Sequence, residues 1–143
     1  MAWADLGLLG LTISKVADQS SIVVTTTAIG EVDNVLIAVI CADNFWTILQ
    51  NPGEDNVVPS VTDSAGNSWT QLHEYDTPGT GADSSQDGAA ISLWATKVTT
   101  ELPSGGTVTA QFSQNTVRDA AFMGVNEFSI GAGKFPNVCL RGQ

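Results

Sequence analysis

The stretch that decides the fold is Val35-Leu-Ile-Ala-Val-Ile-Cys-Ala42, apolar at all its positions. A buried helix could also be apolar all round, but this run is short and rich in Val and Ile, whose branched Cβ fits a pleated surface. It reads as a central β-strand covered on both faces. On either side of it the pattern has period two. Leu9, Leu11 and Ile13 alternate with Gly10, Thr12 and Ser14, and Ser21 to Ala28 is β-branched almost throughout. Downstream, strands are expected over Val57 to Thr62, Asn67 to Tyr75, Ala89 to Val98, Thr107 to Phe112 and Ala120 to Phe128. Pro59 cannot donate to a ladder and marks the first of these as an edge or bulged strand. In the second, Trp69, Gln71, His73 and Tyr75 fall on one side and Leu72 on the other. In the third, Ile91, Leu93 and Ala95 oppose Ser92, Trp94 and Thr96. In the fourth, Val108, Ala110 and Phe112 point inward.

Turn chemistry separates these runs. Asp63-Ser-Ala-Gly66 is a tight turn, with Asp63 able to accept from its own downstream amides and Gly66 free to take positive φ. Asn67 is placed to bond back across that turn, and Trp69 to anchor the returning strand in the core. Pro103-Ser-Gly-Gly106 turns the chain again. About eight short strands at intervals of roughly 8–14 residues predict an all-β, antiparallel two-sheet sandwich or a barrel. No helix longer than a turn or two is expected. The expected organisation is an N-terminal arm over residues 1–8 followed by a single domain over residues 9–143.

Composition narrows the function classes. The chain has 143 residues, 43% of them apolar and 14% charged, with 5 Lys and Arg against 15 acids and a net charge of −10. Such a chain buries enough surface to fold without a metal or disulfide staple. The acidic balance argues against phosphate-backbone binding and against an anionic membrane surface. No apolar run is long enough to span a bilayer. The residues around Met1-Ala-Trp-Ala-Asp5 lack the positive charge of a signal peptide, so none is expected. The two cysteines, Cys41 and Cys139, cannot make a zinc site alone; Cys41 reads as a small buried hydrophobe, with a Cys41–Cys139 bridge as the other reading.

Catalytic constellations are poorly represented. The single histidine, His73, lies in a strand beside Glu74 without a Gly-x-Ser-x-Gly elbow, and Gly133-Lys134 continues into Phe135 rather than completing a phosphate loop. The chain is therefore read as not an enzyme, with no cofactor. Asp83-Ser-Ser-Gln-Asp87-Gly88 begins like a calcium loop, but its twelfth position is Trp94 instead of a bidentate Glu. A looser calcium site is conceivable from Asp76, Asp83 and Asp87, or from Asp43, Glu54 and Asp55; the plainer reading is solvated acidic loops. The segment Asp43 to Gln50 carries Phe45, Trp46, Ile48 and Leu49 between two strands, where a surface connection is normally polar. These side chains either fold over the open end of the sandwich, insert into a neighbouring subunit, or offer a surface on which sugars stack.

Three stretches together resemble a known type of domain. They are Val35 to Asn44, Val61-Thr-Asp-Ser-Ala-Gly-Asn-Ser-Trp-Thr70 and Gly88 to Lys97, followed by Ser104 to Thr109 and Val125-Asn-Glu-Phe-Ser129. The order is similar to a β-sandwich domain, often jelly-roll-like, of bacteriophage virion proteins and of large bacterial surface or secreted proteins, over about residues 20–130. The Thr-Asp-Ser-Ala-Gly-Asn-Ser-Trp stretch is read as its hairpin motif, with Asp63, Gly66, Asn67 and Trp69 as structural turn residues. The resemblance implies a jelly-roll-like sandwich and a structural virion protein, either a head decoration (cement) protein or a small tail component. Such a protein would act by contacts with capsid or tail subunits and with copies of itself, and would be located in the virion. It transfers no catalytic residue. Trp3, Leu6, Phe45, Trp46 and Ile48 are the expected interface anchors. The alternative is a carbohydrate-binding or adhesion module using Trp46, Trp94 or Tyr75.

Overall fold

The computed structural model describes residues 4–16, 19–45, 57–77, 87–113 and 120–129. All eight expected strands form: β1 (Ala4–Ser14), β2 (Ser21–Thr25), β3 (Val35–Phe45), β4 (Ser60–Asp63), β5 (Thr70–Thr77), β6 (Asp87–Lys97), β7 (Thr107–Gln111) and β8 (Ala121–Ser129). Among the described residues there is no helix. The strands make two antiparallel sheets, a large one ordered β1-β8-β3-β6-β5 and a small one ordered β2-β7-β4.

The pairing is nested. β1 pairs with β8, β2 with β7, and β3 with β6, as when one long hairpin is rolled up on itself. That is the jelly-roll logic, with one departure. β4 and β5 would complete the nest, but β4 stays beside β7 in the small sheet while β5 joins β6 in the large one. Pro59 immediately precedes β4, which is an edge strand, where a missing N–H costs no ladder bond.

The core lies between the sheets. Leu36, Ala38 and Ile40 of β3 and Met123 and Val125 of β8 face Ile22 and Val24 of β2 and Val108 and Ala110 of β7, all buried. Val57, Val58, Val98 and Leu102, from connections, close the ends. Phe112, like Val108 and Ala110, points inward as its alternation requires.

Four expectations change. Residues 4–8, expected within an arm, are the first half of β1, registered against β8 from Ala4↔Ser129 onward. Two bulges, between Asp5 and Gly7 and between Leu8 and Gly10, break the simple alternation there. As a result Leu9 is buried, whereas Leu11 and Ile13 face outward. A bulge between Gln71 and His73 does the same to β5. Gln71 pairs with inward-facing Trp94, and His73 with outward-facing Leu93, so the two do not share a side. The third change concerns the 63–69 turn. It is not a hairpin but a corner carrying the chain from the small sheet to the large one. Finally, β3 is central but its outer face is not covered by any described residue: Ile37, Val39 and Cys41 are only half-buried.

Candidate protein interface

The corner is a closed hydrogen-bonding unit. Asp63 Oδ1 accepts from the backbone N–H groups of Ala65 (2.9 Å) and Asn67 (3.1 Å), and Oδ2 accepts from Trp69 Nε1 (2.9 Å). Gly66 has φ +79°, where a side chain would be strained. Asn67 bonds back across the turn through its backbone N–H, while its side chain reaches a more distant segment. Its Oδ1 accepts from Thr99 N (2.8 Å), Thr99 Oγ1 (3.1 Å) and Thr100 N (2.9 Å), and its Nδ2 donates to Thr100 O (2.9 Å). Trp69 is half-buried against the core. Asp63, Gly66, Asn67 and Trp69 thus hold the geometry of the corner and leave no group pointing at solvent chemistry.

Two carboxylates that sequence reasoning passed over have similar roles. Glu127 is buried, and its Oε1 accepts from Glu31 N (2.7 Å) and Asn34 Nδ2 (2.9 Å), fixing the turn before β3. Glu74 accepts from Val57 N (2.6 Å) and Val58 N (3.1 Å), clamping the entry to β4. Their partners are 93 or more and 16 to 17 residues away respectively, so no local pattern announces them.

The feature with functional content is the outer face of the large sheet. Strand register aligns side chains, most of them apolar, in rows across all five strands. One row runs Ile13–Phe122–Cys41–Ile91–Tyr75. The next runs Leu11–Gly124–Val39–Leu93–His73, with the Phe122 ring lying over Gly124. A third runs Leu8–Asn126–Ile37–Ala95–Thr70. Leu8, Leu11, Ile13, Tyr75 and Ile91 are 46–66% exposed. A shallow groove of about 530 Å³ follows the first row, and its lining is almost wholly apolar. Among the described residues, the charged side chains lining it are Lys15 and Asp43.

β6 makes the anomaly explicit. Its more polar set, Ser92, Trp94 and Thr96, is buried, whereas Ile91, Leu93 and Ala95 face outward. The buried set is satisfied internally: Ser92 Oγ accepts from Trp94 Nε1 (2.8 Å) and Gln71 Nε2 (3.2 Å), and Thr96 Oγ1 donates to Ser68 O (2.7 Å). A sheet with one face in water normally alternates apolar-in and polar-out. Here the outward residues of β1, β3, β6 and part of β8 are largely apolar, the reverse of that alternation.

The expected site residues are distributed as follows. Leu6 is on β1 at its first bulge and is 51% exposed. Phe45 ends β3, opposite Asp87. Trp3, Trp46 and Ile48 lie outside the described residues, as do Asp83, Glu54, Asp55 and Cys139. Asp76, on β5, is registered against Ala90 of β6. Asp87 lies three residues from Ala90, roughly 10 Å along the strand. Among the described residues no group of three His, Cys, Asp or Glu is placed to hold a metal ion. Calcium at 5 mM is expected to leave the melting temperature unchanged and to give no heat in titration calorimetry; a saturable heat would locate a site. Trp94 is buried at 7% exposure with its indole N–H bonded, so it offers no stacking surface for a sugar. Tyr75 is exposed, but at the edge of an apolar row. Cys41 carries a free thiol, only half-buried in the groove lining rather than in the core, and burial pushes its pKa up. A protonated thiol of that kind is a poor nucleophile at neutral pH.

Fold and surface together define a class: a two-sheet antiparallel β-sandwich of jelly-roll order with an apolar outer sheet face. Comparisons with protein-family models, with curated proteins and with solved structures find no match to this chain.

Proposed function

We propose that this chain is a structural building block that works by protein–protein contact, as a virion component of a bacteriophage. The apolar outer face of the large sheet carries this reading. Five strands present branched and aromatic side chains to solvent in register, while the polar side chains of β6 are buried and bonded inside. A face of that kind gains about 25 cal/mol for each Å² of apolar surface it removes from water, so covering it is the favourable outcome. Repeated copies on a symmetric particle multiply such contacts through avidity. The phage assignment in particular rests on the resemblance of the sequence stretches Val35–Asn44, Val61–Thr70 and Gly88–Lys97 to virion sandwich domains. Contact requires no reacting group, and the described residues supply rigid geometry and an apolar surface.

Particles purified from the cells that encode the chain should carry it in many stoichiometric copies by quantitative mass spectrometry. Its absence from them would overturn the virion reading. A glycan array is expected to stay silent; saturable binding, lost on Tyr75→Ala, would favour a carbohydrate-binding module instead.

A further inference from the structure

We infer that the outer face of the large sheet is covered by the same face of a second copy of this chain, a proposal that rests on the protein-contact reading. Three observations select a second copy.

The first is charge. The chain carries −10 overall, so two copies repel through most of their surfaces. The three apolar rows contain neither a carboxylate nor a Lys or Arg. At the groove end the face is bordered by one cation and one anion, Lys15 and Asp43. At the other end, Asp5 and Lys97 terminate the row through Phe128 and Val35, with Lys97 Nζ bonded to Asp33 (2.7 Å). Each border holds both signs. A two-fold axis lying across the strands sets the Lys15/Asp43 end of one face over the Asp5/Lys97 end of the other, so that Lys15 meets Asp5 along β1 and opposite signs face each other, as a self-complementary interface requires.

The second is area. Five strands at roughly 4.8 Å spacing and three rows at roughly 7 Å give a footprint of about 25 by 20 Å once side-chain margins are included. Two faces then bury on the order of 1,000 Å², at the lower bound for a specific interface. A footprint at that lower bound makes a dimer that forms with rising protein concentration the form to test.

The third is the composition of the face. Among the described residues its rows are mostly apolar and hold no carboxylate, Lys or Arg cluster that would select a basic or an acidic partner. Its knobs, Leu11, Ile13 and Leu93, and its groove lie on the same surface, so one copy can supply what the other receives.

Cys41 in the groove lining provides the readout. In a Cys139→Ser background, sedimentation equilibrium from 1 to 300 µM is run alongside the rate of Cys41 reaction with Ellman's reagent at pH 8.5. A dimer is expected at the upper concentrations, with Cys41 slowed at least tenfold relative to 1 µM. Leu93→Lys and, independently, Ile91→Lys should be monomeric throughout and react at the dilute rate, with melting temperatures within a few degrees of the parent. A monomer with fast Cys41 at 300 µM overturns the inference but leaves the particle assay to decide the protein-contact reading. A monomer with Cys41 protected at every concentration overturns it in favour of cover by the chain's own residues. A dimer that survives both substitutions with Cys41 reactive places the interface elsewhere and also overturns it.

Discussion

Replacing Gly10 with alanine should cost about 3 kcal/mol or more, and with valine should prevent folding altogether. An ideal Cβ at Gly10 would sit 2.6 Å from Val24 Cγ1 and 2.7 Å from the Thr25 carbonyl oxygen, both closer than real Cβ atoms come. The side chain of Val24 could turn away; the backbone oxygen of Thr25 cannot. Thr25 is held to Thr107 in the β2–β7 ladder. Gly10 is held to Val125 of β8, and Thr27 N donates to Leu9 O at 2.7 Å, with Thr12 Oγ1 donating to Val23 O on the far side. β1 and β2 are thus tied together on both sides of the close approach, and the added methyl has to separate the sheets at this edge. Overpacking against fixed backbone lies at the severe end of its usual range. For a chain of this size about 3 kcal/mol corresponds to a fall in melting temperature of roughly 10 °C, readable by circular dichroism. An Ala variant that melts with the parent would show that β1 is not seated against β2 as described, and the outer face would lose its Leu8, Leu11 and Ile13 border.

Asn67→Ala should be of similar size, about 3 kcal/mol, for a different reason. Asn67 is buried, and its single amide oxygen takes three donors from Thr99 and Thr100. Alanine leaves two backbone N–H groups of the 99–100 turn without an acceptor and the Thr100 carbonyl without its donor. Each unsatisfied buried group costs about 1–3 kcal/mol, less where water can enter. Because Thr99 and Thr100 follow β6 directly, the loss should appear in hydrogen exchange as faster exchange of the Thr99 and Thr100 amides and of Val98, ahead of the β3–β8 ladder. Unchanged exchange at those amides would mean that another acceptor replaces Asn67.

The corner and the face illustrate what each level of description could yield. Asp63 and Gly66 were legible because the groups they serve are two to six residues away, and a positive φ at glycine is a local preference. Asn67 was legible as a residue that bonds back across the turn, which its backbone N–H does, but not the partners of its side chain, because Thr99 and Thr100 are more than thirty positions downstream. Glu127 and Glu74 were missed for the same reason. The outer face was half legible. An apolar run at Val35 to Ala42 correctly indicated a central strand, but whether its second face meets the core or solvent depends on which sheet packs against it. The pattern of β6 could be divided into two faces without knowing which was inside.

Alternation and turn residues act over a few positions, so the sequence alone was enough for eight strands, an antiparallel all-β sandwich or barrel, an edge or bulged place for β4 and the inward set of β7. Which strands pair across 90 or more residues, which sheet β5 joins, and which face of each strand is buried were decided only in the tertiary structure. The physical reason is the period of two itself. A single bulge, as at Leu6, Leu9 or Leu72, moves every following side chain to the opposite face, and alternation of side chains in the sequence does not announce where the partner strand will skip a residue.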